Sequence, residues 1–116
     1  MDTKDKLLAQ IDSLRNAVVN NDVPATISLI SEIPIDTRSR SLVDDFLRGL
    51  MVTSITEYIS KRKSGKLRID RKNEYGNPTF DTYLMKDGVL CRNGSEARWS
   101  SIGKLYQAYK KINKIK

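Results

Sequence analysis

The sequence predicts an α+β protein, in which an N-terminal three-helix unit is followed by a small antiparallel β-meander of three strands packed on a C-terminal helix. Two observations predict this class. Apolar residues recur every three or four positions up to residue 60, as in helices, and alternate with polar residues beyond it, as in half-buried strands. The change coincides with a basic run, Lys61–Lys66. We therefore predict a helical unit at residues 1–60, a basic linker at 61–66 and a basic sheet-and-helix module at 67–116.

Three helices are predicted in the helical unit, because side chains that cap helix N-termini precede three stretches with helical apolar spacing. The candidate caps are Asp2 or Thr3 for the first helix, Asp22 for the second, and Asp36 or Thr37 for the third. The first helix is expected to end near Asn20. Pro24 suits the first turn of the second helix, where its missing N–H does no harm, and Pro34 ends that helix.

The third helix carries paired apolar residues every four positions, a stripe wide enough to cover more than one neighbouring surface. Two interpretations follow: an ordinary three-helix core, or a unit that also forms a homodimer through residues 38–60. In the homodimer we expect Phe46, Leu50 and Ile55 to lie at the interface. Gly49, in the middle of this helix, is expected to permit the close approach of another helix.

The second half has the pattern of a sheet followed by a helix. Strands are predicted at 67–71 and 79–85, where apolar and polar residues alternate on either side of a turn-rich loop. An Asp-Gly pair and an Asn-Gly pair predict tight hairpins, so that 89–92 pairs back onto 79–85 and 96–99 adds a third short run. The serines at 100–101 offer a cap for a last helix with one apolar and one basic face.

The composition excludes several classes of function. One cysteine and no histidine leave no internal disulfide and no ordinary zinc site, and we expect Cys91, in a short apolar run, to be buried. Asp81, Lys86 and Asp87 are the nearest approach to a metal-dependent nuclease site, but the hairpin turn explains Asp87. We therefore expect no enzyme activity, no cofactor and no metal. No apolar run approaches the roughly 20 residues that span a bilayer, so we expect a cytoplasmic protein without a membrane partner, nucleoid-associated if bacterial.

Charge separates the two halves. Residues 1–60 carry six basic against nine acidic side chains, and residues 61–116 carry fifteen against five, net charges of −3 and +10. A dense positive field attracts polyanions, so we predict a small nucleic-acid-binding regulator, transcriptional or nucleoid-associated, with DNA favoured over RNA. The predicted nucleic-acid contacts are the basic side chains of the linker, strands, turns and last helix: Lys61, Arg62, Lys63, Lys66, Arg68, Arg71, Lys72, Lys86, Arg92, Arg98, Lys104, Lys110 and Lys111.

Aromatic residues of the second half allow two interpretations. Tyr75, Tyr83 and Trp99 are candidates for stacking on bases or wedging between them. Alternatively, Trp99 and Tyr106 fill the core between the sheet and the last helix.

The order of acidic helices, basic linker and hairpin-helix module resembles the layout of the nucleoid-structuring H-NS family, in which an N-terminal helical part oligomerises and a C-terminal module enters the minor groove. The resemblance implies DNA binding. The Gly-Arg-containing groove loop of that family is not present, and the nearest segment, residues 92–98, carries an acid. A different function class also fits the charge: an inhibitor or adaptor of the phage or plasmid type, whose basic face binds an acidic protein surface.

Overall fold

A computed structural model of the chain describes residues 3–114 and confirms the α+β class. Helices and strands follow one another in this order: α1 (Thr3–Val19), α2 (Val23–Glu32), α3 (Thr37–Ser60), β1 (Lys66–Lys72), β2 (Pro78–Lys86), β3 (Val89–Arg92), β4 (Ser95–Glu96), a short 3₁₀ helix (Ala97–Trp99) and α4 (Ile102–Ile112). The described part of the chain forms two compact units, one up to Leu50 and one from Met51 onward, and the boundary between them lies within α3. The predicted domain boundaries follow charge instead and stay a prediction.

In the first unit, α1 packs on α2 around buried side chains that include Ala17, Val23 and Ile30. The predicted cap of α2 is confirmed, since Asp22 Oδ1 accepts a hydrogen bond from the backbone N–H of Ala25 at 3.1 Å. The side chain thereby satisfies one of the N–H groups that the first turn of a helix leaves without a partner.

The helix α3 begins at a second predicted cap, where Asp36 Oδ1 accepts a hydrogen bond from the backbone N–H of Ser39 at 2.7 Å. The hydrogen bond from the Ser39 backbone is the main reason that the pKa of Asp36 lies below its usual value. The fully buried residues of α3 recur every four positions: Leu47, Met51, Ile55 and Ile59.

Two expectations for α3 need correction. Ile55 lies in the core of the second unit, because its side chain is completely buried within the single chain, and so it does not face a partner. Gly49 is exposed, and a Cβ at this position would meet no atom within 4 Å other than the neighbouring backbone of α3 itself. The expected close approach of another helix at Gly49 is therefore wrong for the described chain.

The second unit contains an antiparallel sheet with the strand order β1-β2-β3-β4. The predicted hairpins are present: Asp87 and Gly88 have φ of 52° and 79°, and Asn93 and Gly94 have φ of 53° and 90°. The sheet has four strands where three were predicted. Ser95–Glu96 is a strand of two residues, and the rest of the predicted run at 96–99 coils into the 3₁₀ helix because Glu96 binds the side chains that follow it.

The sheet packs on α4 through one face, which we call the inner face. Its register places Leu67 opposite Tyr83 and Ile69 opposite Asp81, and all four side chains are buried. Tyr83 donates a hydrogen bond from its hydroxyl to the backbone oxygen of Lys104 at 3.3 Å, which joins β2 to α4. The buried side of α4 includes Leu105 and Ala108. Within residues 3–114, no helix combines the length and the apolar character that crossing a membrane requires.

Candidate nucleic-acid interface

Two of the predicted binding residues, Arg71 and Arg92, instead hold the inner face of the sheet together. Arg71 Nε donates to Asp81 Oδ2 at 2.9 Å, and an Arg92 guanidinium nitrogen donates to Asp81 Oδ1 at 3.1 Å. Asn93 Nδ2 donates to Oδ1 as well, at 2.9 Å, and Arg92 Nε donates to Ser100 Oγ at 2.8 Å. Asp81 on the central strand β2 thus bridges its neighbours β1 and β3.

The burial of this cluster decides its role. The side chain of Asp81 is 1% exposed, and those of Arg71 and Arg92 are 19% and 18% exposed. Burial alone raises the pKa of Asp81, but hydrogen bonds from Arg71 and Asn93 and the nearby positive charges outweigh it, so the pKa lies below its ordinary value. A buried carboxylate with charged partners stays ionised. Arg92 is therefore a structural residue rather than a free phosphate ligand, and Arg71 has its Nε committed to Asp81.

We call the opposite face of the sheet the outer face. Along each strand, its residues alternate with those of the inner face. The register puts Arg68 opposite Thr82, Asp70 opposite Phe80 and Lys66 opposite Leu84. The outer face consists of Lys66, Arg68, Asp70 and Lys72 from β1, Pro78, Phe80, Thr82, Leu84 and Lys86 from β2, Val89 and Cys91 from β3, and Glu96 from β4. Its lysines and Arg68 are exposed, whereas Cys91 at its centre is buried, as predicted.

A cleft of about 380 Å³ lies between β1 and α4. Its walls carry four cationic side chains and one carboxylate, and the full lining is Ile69, Asp70, Arg71, Lys72, Gln107, Lys110 and Lys111. The carboxylate of Asp70 already accepts a hydrogen bond from Arg68 Nε at 3.1 Å. At the same place Lys111 Nζ donates to the backbone oxygen of Arg68 at 2.8 Å, on the strand that forms one edge of the sheet.

The structure thus brings part of the predicted site together around the edge strand. We call this group the β1 basic edge; it consists of Lys66, Arg68, Lys72, Lys110 and Lys111. No ion pair among residues 3–114 engages Lys72, Lys110 or Lys111. These three lysines therefore offer positive charge that carboxylates of the described chain do not pair with, whereas Arg68 of the same edge is paired with Asp70.

Other predicted contacts lie apart from this edge. Arg62 donates to the hydroxyl of Tyr58 at 2.6 Å, and its neighbours Lys61 and Lys63 are exposed in the segment before β1. Lys86 lies at the end of β2 that pairs with Val89. Two more predicted residues, Arg98 and Lys104, lie beside Glu96 and beside the β1–β2 loop, respectively.

The aromatic residues predicted to stack on bases differ in their exposure. Tyr83 is fully buried and is therefore wrong as a stacking residue, while Tyr75 is exposed. Trp99 is 72% exposed, so the alternative in which it fills the core is wrong. The sequence interpretation missed Phe80, which is exposed on the outer face in register with Asp70. The sequence places Phe80 and Tyr83 on opposite faces of a strand, because they are three positions apart, but it does not show which of the two faces is buried.

The residues weighed for a nuclease site do not converge, since Asp81 lies on the inner face and Lys86 on the outer face. No group of three or more acidic, cysteine or histidine side chains within the described residues is arranged to hold a metal ion. A search for similar proteins found no match to any family model, curated protein or solved structure.

Proposed function

We propose that the protein is a small nucleic-acid-binding regulator, acting in transcription or nucleoid organisation, that holds phosphates through the β1 basic edge, with DNA favoured over RNA. The observation that carries the proposal is the cleft between β1 and α4, where Lys72, Lys110 and Lys111 converge. Of the thirteen predicted contact residues, the proposal keeps the five of the β1 basic edge as phosphate ligands. Arg92 leaves the binding set because it belongs to the Asp81 cluster, and Arg71 remains only as part of the cleft wall.

The shape and the charge of this surface suit a polyanionic backbone. Lysine side chains hold phosphates as flexible point charges, and their positive field acts on any sequence alike. Each phosphate that a cationic side chain neutralises releases condensed counterions, so affinity depends steeply on salt. With about five contacts, the slope of log K against log salt for duplex DNA is expected to be about −4 to −5.

The test is a fluorescence-anisotropy titration of the full chain on a random-sequence duplex over a series of salt concentrations. The variant Lys72→Gln/Lys110→Gln removes two cleft charges and leaves Lys111, which contacts the Arg68 backbone. Its matched control is Lys6→Gln/Arg38→Gln, which removes two exposed charges from the first unit. The cleft variant is expected to bind less tightly and to have a slope shallower by about 2, and the control is expected to match the original chain.

The proposal fails if the original chain binds neither this duplex nor a single strand of equal length even at low salt, or if both variants weaken binding equally. A capture experiment from lysate, with and without nuclease, separates the two partner classes. A partner that is retained after the nucleic acid is destroyed indicates an acidic protein surface, the alternative that the charge allows.

We also propose that α3 mediates a homodimer. Leu42, Phe46 and Leu50 recur every four positions on the part of α3 in the first unit; Leu42 is exposed and the other two are half-buried. Sedimentation equilibrium of the full chain is expected to show a dimer that Leu42→Glu dissociates, and a monomer at all concentrations would contradict it.

A further inference from the structure

Two exposed aromatic rings lie on or next to the outer face of the sheet: Phe80 on β2, and Trp99 in the 3₁₀ helix that follows β4. Phe80 is 48% exposed and Trp99 is 72% exposed, although large aromatic side chains are usually highly buried. The cationic residues Lys66, Arg68, Lys72 and Lys86 share the outer face with Phe80. Exposed rings beside cationic side chains are the combination by which proteins bind bases that are not paired or stacked.

The ring of Phe80 lies beneath a guanidinium group. The central carbon of the Arg68 guanidinium is 4.0 Å from the centroid of the Phe80 ring. The hydrogen bond from Arg68 Nε to Asp70 Oδ1 holds the guanidinium there. Aromatic rings and planar guanidinium groups both stack on nucleobases, so this pair is a ready surface for one base.

Trp99 is held in a similar way near the opposite edge of the sheet, just after β4. Its indole Nε1 donates to Glu96 Oε2 at 3.0 Å, and the Arg98 guanidinium lies 4.5 Å from the ring centroid. Glu96 pairs with Cys91 across β3 and β4, so its side chain belongs to the outer face. Because these contacts hold the ring, a base that stacks on it does not have to order a mobile side chain first.

An uncharged stretch of the outer face separates the two rings, and cationic side chains lie around it. Four residues along β2 and two strands across the sheet separate Phe80 from Glu96, which is about 17 Å between Cα atoms. The side chains in this interval are uncharged: Thr82 and Leu84, which are half-buried, and Cys91, which is buried. The carboxylates of the outer face, Asp70 and Glu96, are each hydrogen-bonded to an arginine, which limits their repulsion of a polyanion.

A double helix does not suit this surface. Its bases are stacked on one another, so they offer no free faces to Phe80 and Trp99. The major groove admits a helix or a two-stranded ribbon, and a four-stranded sheet is wider than that.

From these contacts we infer that the outer face binds single-stranded nucleic acid, with unpaired bases stacked at Phe80 and Trp99 and the backbone held by the β1 basic edge. The inference rests on the proposed function and names its substrate class. Direct hydrogen bonds to base edges are not part of it, so the expected sequence preference is weak.

Trp99 is the only tryptophan of the chain and reports stacking directly. We expect a single-stranded oligothymidine to quench its fluorescence, and inorganic polyphosphate or a duplex of equal length to change it little. An oligouridine arm distinguishes DNA from RNA. This measurement uses the unmodified protein, so it does not depend on whether any variant folds.

The variant Phe80→Leu removes the ring and keeps an apolar side chain, while Phe80→Tyr keeps an aromatic ring at the same position. Loss of one base-ring contact is expected to weaken binding to the single strand about tenfold in Phe80→Leu, and binding is expected to recover in Phe80→Tyr. Because stacking releases no counterions, the slope against salt is expected to stay the same in both variants. Circular dichroism of each variant checks that the fold is kept.

The possible failures are distinguishable. If the duplex and the single strand bind equally, Trp99 responds to neither and Phe80→Leu binds normally, the inference is wrong and the proposed function stands. If neither nucleic acid binds at low salt, both are wrong.

Discussion

Arg71 Nε donates to Asp81 Oδ2 at 2.9 Å across the β1–β2 pair, and this contact commits one cationic side chain of β1 to the fold. Two guanidinium groups surround one buried carboxylate, so the cluster keeps a formal charge of +1 while it ties three strands together. The β1 basic edge lies on the same strand, Lys66–Lys72, and beside it on α4. Charge that stabilises the fold and charge that is available to a ligand therefore lie next to one another.

The variant Asp81→Asn is expected to lower the free energy of unfolding by about 2 to 3 kcal/mol, because two half-buried guanidinium groups lose their counterion. Urea denaturation measures the change. The matched control is Asp70→Asn, whose carboxylate pairs with Arg68 but is 71% exposed, and which is expected to cost less than about 1 kcal/mol. Equal losses in the two variants would show that burial of the Asp81 cluster contributes nothing.

Acid is expected to remove the contribution of Asp81. Its pKa in the folded protein lies below the ordinary value, because its hydrogen bonds and neighbouring charges outweigh burial. The contribution is therefore present above about pH 4, the unfolded value, and is lost as the pH falls through the folded pKa. The difference in stability between the original chain and Asp81→Asn is therefore expected to shrink as the pH falls below about 4. A difference that stays constant would contradict the assignment.

Tyr83 is expected to titrate late in the alkaline range. Its pKa is raised to about 12, mainly by burial; the charge of Arg92 opposes the shift and the charge of Asp81 adds to it. Stability from Tyr83 is therefore complete below about pH 10 and is lost as the pH rises toward the folded pKa. The tyrosinate absorbance of the original chain minus that of Tyr83→Phe is expected to develop near the folded pKa. A difference that develops near pH 10 with the fold intact would be inconsistent with burial.

Two glycines are expected to respond in opposite directions to alanine. Gly94→Ala should lower the free energy of unfolding by about 1 to 2 kcal/mol, because φ is 90° in the β3–β4 hairpin. Gly49→Ala should raise it by up to about 1 kcal/mol, because Gly49 is helical and its Cβ would lie in open space. Thermal denaturation compares the two. A destabilising Gly49→Ala would indicate that a second chain approaches this position.

The local signals in the sequence predicted much of the fold. Asp22 and Asp36 cap helices as predicted, because a cap depends on three or four adjacent residues. The two Gly-containing hairpins formed for the same reason. The short run predicted at 96–99 pairs only at Ser95–Glu96 and continues as a 3₁₀ helix, because two residues give no alternation from which the extent of a strand can be read.

The candidate site was harder to predict because it depends on which face of a strand each residue occupies. Arg68 and Arg71 are three positions apart and therefore point to opposite faces, so they could not both join one surface. The partner of Arg71 lies ten residues further along the chain, and the register that brings Asp81 beside it is set by the loop between the strands. The nucleic-acid function itself stays a prediction.

The ammonium of Lys111 also has a consequence for the behaviour of the protein in concentrated solution. Lys111 Nζ donates a hydrogen bond to the backbone oxygen of Arg68 on β1, an edge strand. A backbone group without a partner on an edge strand can pair with a strand of another molecule. Acetylation of Lys111, or its exchange for glutamine, would remove this charge and weaken the charge-assisted hydrogen bond to the carbonyl. Edge-to-edge association through β1 is therefore expected to become easier when this lysine is modified.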